Sequence, residues 1–303
     1  KNDDGNAIFE YLIQCANNRK QNKQNEAINK IFNHWDPETL LPSDLSLPVL
    51  ERHNLKRIAK TLLNKESSCN FLHNLSKKEI IELCQDPMEN IKGDYFFEKT
   101  GSYGTVIAYK HNEITFAIKV GVTHKVLNDW KIGKNLDHPN FLKMFFHLKT
   151  QNDNDTIIFM EFIEGKDTWG CQWSHTLFPK IVKQLTEALQ HLLELEITPK
   201  DMKENNMLIT NEGVLKLIDF GEYKQSIDFS YFKLNIKNAF RSIIEPYLFY
   251  CSRNDFDGSS KQRLESFQMK IDQEIANLKN GQDIKIFLNG IYYPECLQEI
   301  KSK

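Results

Sequence analysis

Asp201, Lys203 and Asn206 stand close together in the run Ile197-Thr198-Pro199-Lys200-Asp201-Met202-Lys203-Glu204-Asn205-Asn206-Met207-Leu208-Ile209. Asp219 follows after a gap of hairpin length, in Ile218-Asp219-Phe220-Gly221. Phosphoryl transfer requires such a set. One carboxylate receives the proton of an attacking hydroxyl, an ammonium offsets charge on the moving phosphate, and an amide with a second carboxylate holds metal ions. Taken singly, these residues have plainer readings: Asp219 as a turn acid, and the Asn205-Asn206 pair as a cap or loop. Their linked order is what gives the chemistry weight.

At these two motifs the chain resembles the catalytic core of the protein kinase superfamily, in its eukaryotic-like Ser/Thr form. The resemblance implies that Asp201 positions and deprotonates a hydroxyl, that Lys203 neutralises the transferred phosphoryl group, and that Asn206 and Asp219 bind Mg²⁺ or Mn²⁺. It also implies ATP as the phosphoryl donor and a protein as the substrate.

The elements that must position these groups follow the same order. Lys99-Thr100-Gly101-Ser102-Tyr103-Gly104-Thr105-Val106 looks like the family's Gly-rich loop with its first Gly replaced by Lys. Gly101, Ser102 and Gly104 are then expected over the ATP phosphates, where a side chain would collide, and Val106 against the adenine. On its own, a Gly-x-x-Gly ahead of a strand is usually only a turn. Thr115-Phe116-Ala117-Ile118-Lys119 alternates like a strand and is similar to Val-Ala-Ile-Lys. That makes Lys119 the expected ligand of the α- and β-phosphates, although an isolated strand lysine is more often solvated. Ala117 and Leu208 join the nucleotide site by the same resemblance. Leu136-Asp137-His138-Pro139-Asn140 resembles the turn after the helix that partners this lysine, and counting back places Asp129 where the family usually carries Glu. Ile157 to Ile163 reads as a buried strand leaving at a hinge. By the same resemblance Met160 is its expected gatekeeper, the backbones of Glu161 and Ile163 are expected to bond adenine, and Asp167 to reach the ribose. From Ile181, apolar residues at helical spacing (Leu185, Ala188, Leu189, Leu192) predict the helix that leads into the catalytic loop.

Three departures qualify the resemblance. Pro199-Lys200 stands where the family has His-Arg, so another group must brace the loop, and Lys200 can meet a phosphate only as a point charge. After Gly221 only a short stretch precedes the predicted helix beginning near Asp228. No Ala-Pro-Glu occurs, and Glu245-Pro246 is a poor substitute. The chain is therefore expected to act without activation-loop phosphorylation and to recognise its substrate through other surfaces.

Composition fits a globular chain. Its 303 residues are 40% hydrophobic and 26% charged, with a net charge of −2 that gives no reason to expect nucleic acid or an anionic membrane. Six scattered cysteines without a Cys-x-x-Cys predict a reducing compartment and no zinc site. No apolar run reaches bilayer length and no signal peptide opens the chain, so a cytoplasmic location or delivery into a host cytosol is expected and a transmembrane segment is not. The first residue is Lys rather than Met, which points to a trimmed N-terminus.

Residues 1–90 read as a helical extension, with apolar stripes at Ile8–Ala16, Ala27–Phe32 and Leu55–Leu63 and a capping-box spacing at Ser76 and Glu79. Such stripes are most often core. The alternative is a docking surface for an activating partner, with Arg19–Lys23 or Lys56, Arg57 and Lys60 as an anion site. Towards the C-terminus, Phe232–Ile244 has helical spacing and 254–260 is loop-like without the spacing of a calcium loop. Leu264–Leu278 predicts a helix ended by Gly281, and Ile284, Ile286 and Leu288 a short strand or packed turn.

The expected architecture is α+β and two-lobed, kinase-like: a helical extension over 1–90, a β-rich lobe over 91–163 and a reduced helical lobe over 164–303. The expected function is ATP-dependent phosphorylation of Ser/Thr in proteins. A kinase for a small molecule or lipid, a non-catalytic scaffold on the same fold, and an AMP-transferring variant remain open. The short activation segment and the Asn/Lys-rich chain are similar in style to effector kinases of intracellular bacterial pathogens, and a viral kinase would look much the same.

Overall fold

The computed structural model describes residues 53–55, 57, 58, 61, 70–75, 77–101, 104–150, 155–254 and 258–291. The apolar stripes before residue 53, part of the third stripe, Ser76 of the capping box, Ser102 of the Gly-rich loop and the acids at 255 and 257 lie outside the described residues. The chain divides into two compact units. One comprises the described residues up to Thr123 with Phe145–Met160, the other His124–Met144 and the described residues from Glu161 onward. The whole is α+β, with a β-rich first part and a helical second part.

The first unit is built on a five-stranded sheet of order β1-β2-β3-β5-β4, with β1 at Asp94–Gly101, β2 at Gly104–His111, β3 at Ile114–Val122, β4 at Met144–Lys149 and β5 at Asp155–Glu161. The antiparallel register of β2 and β3 sets Val106 opposite Lys119, Ile107 opposite Ile118 and Ala108 opposite Ala117. Side chains alternate faces along a strand. Val106, Ala108, Ala117 and Lys119 therefore share one face, and Ile107, Phe116 and Ile118 share the other.

That second face is covered from the N-terminal side by Ile58, by α1 (Asn70–His73) and by α2 (Lys77–Gln85), which add Phe71, Leu72, Ile80 and Leu83 to the core. Phe71 stacks on Phe116 at 4.1 Å between ring centroids, and Phe159 stacks on Phe146 at 4.4 Å. The described part of the extension is thus core of the sheet. Asn54, completely buried, joins it to the strand β4 by donating to the carbonyls of Cys84 and Lys149 and accepting from the Lys149 N–H at 3.1 Å. A buried amide with its groups bonded fixes register without leaving an unpaired polar atom.

The second unit contains α3 (Thr123–Gly133), a three-stranded sheet β6-β7-β8 (Gly165–Asp167, Met207–Thr210, Leu215–Leu217), and the helices α4 (Leu177–Glu194), α5 (Phe229–Arg253), α6 (Gly258–Asn277) and α7 (Gly281–Gly290). Helix α4 buries Phe178, Ile181, Leu185, Leu189 and Leu192 on one stripe, as the spacing predicts. Asp228 caps α5 by accepting from the N–H groups of Ser230 and Tyr231, which satisfies two donors that a helix start leaves over. The helix runs well past the predicted Ile244 and carries Pro246 inside it, so Glu245-Pro246 is helix interior.

The C-terminal expectations need correction. Residues 258–260 already belong to α6, which ends at Asn277, and Gly281 begins α7 where it was expected to end the preceding helix. Residues 284–288 are helical, not a strand. Asn280 caps the Asp283 N–H, and Ile284, Phe287 and Leu288 are buried at helical spacing while Ile286 is exposed. The alternating hydrophobicity misled because Ile286 faces out. Among the described residues no helix is long and apolar enough to cross a membrane.

Candidate active site

Thr198 anchors the loop that carries the reactive side chains. Its backbone exchanges both hydrogen bonds with Lys224, and its buried hydroxyl donates to the Ser226 carbonyl at 2.6 Å and accepts from the Asp228 N–H at 2.8 Å. The seven residues from Glu222 to Asp228 are thereby tied to Thr198 at the entry to the loop, through an isolated bridge to Lys224. One turn further on, the Met202 N–H donates to Oδ1 of Asn235, a buried side chain of α5. The Tyr223 hydroxyl meets the Met202 sulfur at 3.0 Å, and the Tyr223 ring packs edge-on to Phe220 at 5.4 Å. This is the brace that the missing His requires. It comes from Tyr223 on one side and Asn235 on the other.

Between these anchors Asp201 adopts a left-handed backbone, φ 56°, as does Asp219 at φ 63°. Such conformations cost a non-glycine residue on the order of 1–3 kcal/mol and persist only where surroundings impose them. The Asp201 carboxylate accepts from Lys203 Nζ at 2.6 Å and from Asn206 Nδ2 at 3.1 Å, and the same Asn206 amide donates to the Asp201 carbonyl at 2.9 Å. The hydrogen bond to Asp201 raises the Lys203 pKa, outweighing the opposing effect of burial. With side chains 38% and 47% exposed, this ion pair contributes little stability, and its consequence is orientation.

Asn206 also bridges to the second motif, since its carbonyl accepts from the Ile218 N–H next to Asp219. The Phe220 N–H is held by Asp129 Oδ1 at 2.7 Å, and Asp129 is 1% exposed. Its neighbour on α3, Asn128, donates to the carbonyls of Gly221 and Tyr223. Asp129, expected as the partner of Lys119, also bonds the Asp-Phe-Gly backbone. Burial pushes the Tyr223 hydroxyl well up, and the carboxylates of Asp219, Asp129 and Asp201 push in the same direction, so this tyrosine stays neutral.

The profile of the protein kinase domain family matches residues 100–233, which span all of these groups. Over these residues the chain is similar to the eukaryotic-like protein kinase superfamily. Among its relatives, it is 29% identical over 205 residues to the serine/threonine-protein kinase cds1 of Schizosaccharomyces pombe, a match covering 55% of this chain and 44% of that protein. It is 36% identical over 101 residues to the mitogen-activated protein kinase kinase kinase ANP1 of Arabidopsis thaliana, covering 31% and 15% of the two chains. With the cAMP-dependent protein kinase catalytic subunit of Arthrobotrys oligospora it shares 26% identity over 181 residues, covering 52% and 35%. The chain therefore spans less than half the length of these relatives.

The groups that the kinase resemblance assigns to nucleotide lie in both units. In the first, Val106, Ala117 and the buried Lys119 share the face of the sheet turned away from the aromatic core. Two glycines of the loop differ. A Cβ on Gly104, at φ 152°, would lie 2.3 Å from the Val120 carbonyl oxygen, so the strand crossing itself demands glycine there. Among the described residues, a Cβ on Gly101 would meet nothing nearer than 3.7 Å. Packing against those residues therefore does not require glycine at 101. Met160 is buried near the end of β5.

In the second unit the Glu161 N–H donates to the Lys143 carbonyl, so any bond from this residue to adenine is made by its carbonyl. Its side chain is held by Lys216 Nζ and the Lys143 N–H, each at 2.7 Å. Ile163 is half-buried beyond it. Leu208 is half-buried on β7, between core-facing Met207 and Ile209. Asp167, expected at the ribose, accepts the Gly170 N–H with one oxygen at 2.7 Å.

A divalent metal fits what is present. The Asn206 amide nitrogen is engaged with Asp201, so a metal held by this residue would be met by its Oδ1, and one held by Asp219 by a carboxylate oxygen. Both are hard oxygen donors suited to Mg²⁺ or Mn²⁺. Among the described residues no three His, Cys, Asp or Glu gather to hold an ion unaided. Sequence reasoning missed Thr198, Asn235, Tyr223 and Asn128. Their only signal was proximity in sequence to motifs, and their partners lie up to 95 residues away.

Proposed function

We propose that this chain is a Ser/Thr protein kinase that uses ATP and a divalent metal and needs no phosphate on its own activation segment. The observation that carries the reading is the single hydrogen-bonded loop in which Asp201, Lys203 and Asn206 meet, with Ile218, the neighbour of Asp219, bonded to Asn206. Bound Mg·ATP supplies an activated γ-phosphoryl group. Asp201 orients the substrate hydroxyl and takes its proton as the new oxygen–phosphorus bond forms and the bond to the β-phosphate breaks. Lys203, already drawn to Asp201, supplies positive charge where the transferred group accumulates negative charge. Asn206 and Asp219 hold the metal, and Lys119 the α- and β-phosphates. Independence from activation is supported by the brevity of the 222–228 segment and its bonds to Thr198.

A second reading, phosphorylation of a small molecule, is favoured by that same brevity, because it removes the usual platform for an extended peptide. Incubation with ATP and Mg²⁺ or Mn²⁺, with an Asp219→Ala control, tests both by intact mass and nucleotide products. Formation of ADP with phosphate on protein, absent in the control, is the expected result. ADP formed only with small hydroxyl acceptors supports the second reading. An adenylyl-sized gain replaces the reaction, and no turnover with any acceptor overturns the kinase assignment.

A further inference from the structure

Lys99 stands where the kinase resemblance calls for the first glycine of the Gly-rich loop, and the sheet decides where its side chain goes. The register of β1 on β2 sets Lys99 opposite Val106, and that of β2 on β3 sets Val106 opposite Lys119. Directly opposed residues of an antiparallel pair present their side chains on the same face. Lys99, Val106 and Lys119 therefore form one row across three strands, on the face that also carries Ala117. The two lysine backbones stand two strand spacings, or about 10 Å, apart.

The charge on this face is one-sided. Glu98, the acid next to Lys99, is opposite Ile107 and so projects from the other face, where its carboxylate accepts from the Tyr95 hydroxyl at 3.1 Å. Asp94, the one acid that β1, β2 and β3 place on the lysine face, is opposite Lys110 at the far end of β1. Towards the loop, the next row on the lysine face is Gly101 opposite Gly104, which carries no side chain. Lys99 is exposed, whereas Lys119 is 7% exposed. Each ammonium rides on a flexible four-carbon stem and can be brought over this bare backbone. A single phosphate group would meet one of them; a chain of phosphates lying along the row would meet both.

We propose that Lys99 is a second cationic ligand of the nucleotide, gripping the phosphate chain from β1 while Lys119 grips it from β3. The chain then holds its nucleotide with a pair of lysines where the resemblance supplies a glycine and one lysine. The ligand class is a nucleoside di- or triphosphate with its divalent metal. This assignment rests on the protein kinase reading above. Since β1 is an edge strand, a lysine on it could instead serve to deter pairing with another chain, and the two roles differ in what a substitution at 99 changes.

Isothermal titration calorimetry of the native chain with adenosine, AMP, ADP and ATP, each with Mg²⁺, reads the affinity gained with each phosphate and requires no turnover. Lys99→Gln is expected to weaken ATP binding by about tenfold and ADP binding by a smaller factor, and to leave adenosine unchanged. It should also flatten the dependence of ATP affinity on salt. Lys99→Arg keeps most of the affinity, and Lys99→Gly behaves as Lys99→Gln. Melting curves without nucleotide verify that each variant is folded.

Unchanged ATP affinity in Lys99→Gln overturns the proposal, and self-association of that variant would assign the lysine to guarding the strand edge. Equal weakening of adenosine and ATP also overturns it, because the lysine would then act on the base or on the loop and not on phosphate. A native chain that binds none of the four ligands overturns both the proposal and the kinase reading. Lys99-dependent ATP binding without phosphoryl transfer to any acceptor sustains the proposal while refuting the kinase reading.

Discussion

The loop from Thr198 to Tyr223 and the layer formed by Phe71, Phe116, Phe146 and Phe159 both hold backbone in place, by different means. The aromatic layer is buried, apolar and stacked, with centroids as close as 4.1 Å. Its cohesion is spread over many contacts, none of which has a required direction. The active loop is partly exposed, carries two acids in left-handed conformation, and is fixed by single hydrogen bonds from Thr198, Asn235, Tyr223, Asn128 and Asp129. Dispersed packing supplies stability but cannot aim a carboxylate. Directional bonds aim it, and each then has a separate consequence when lost.

Substitutions should separate the two regions. The largest effect is expected from Asp219→Ala or Lys119→Ala, which should lower phosphoryl transfer by roughly a thousandfold or more while a cooperative melting transition persists. Full turnover in either variant, read as ADP formed, would falsify their assignment. Phe116→Ala should do the reverse. It should destabilise the protein by about 3–5 kcal/mol in denaturant titration, with the catalytic side chains unaltered. A loss below about 1 kcal/mol would mean that the aromatic layer does not carry the stability ascribed to it.

Asp129→Ala and Asn128→Ala sharpen the comparison, because they sit on a helix yet act on the loop. Each should reduce kcat by about 10- to 100-fold with little change in peptide KM, through a misplaced Asp219. A change confined to KM would show that they do not position the Asp-Phe-Gly. The two glycines come next. Gly104→Ala should lower the melting temperature because a Cβ strikes the Val120 carbonyl, whereas Gly101→Ala should leave stability alone and weaken ATP binding.

The smallest effect is acid lability. Burial and the nearby His191 lower the His138 pKa below 6.5, and burial alone does so for His175. The folded chain thus binds protons less readily than the unfolded chain. Stability should be constant above about pH 7 and should fall as pH drops through 6.5 towards the folded values. In melting curves across this range, His138→Asn should reduce the fall. An undiminished fall would assign it to other groups.

Much of the kinase domain was legible because it is written in local spacing. The strands β3 and β5, the helix α4 and the cap at Asp228 follow from periodicity and capping chemistry within a few residues. Asp201, Lys203 and Asn206 stand within six residues, and the run was legible through its resemblance to the kinase catalytic loop. The C-terminal helices were less legible. Alternation at 284–288 fits a strand as well as a helix, and only the burial of Phe287 and exposure of Ile286 decide between them.

The sequence by itself determined which groups are available for the proposed phosphoryl transfer and in what order they occur, because those depend on residue type and short-range geometry. Tertiary structure decided what holds them. That Tyr223 and Asn235 stand in for a missing histidine and that Asp129 grips the Phe220 N–H are contacts between residues far apart in the chain. Such contacts form only when packing brings distant segments within hydrogen-bonding distance, and no local pattern encodes that distance.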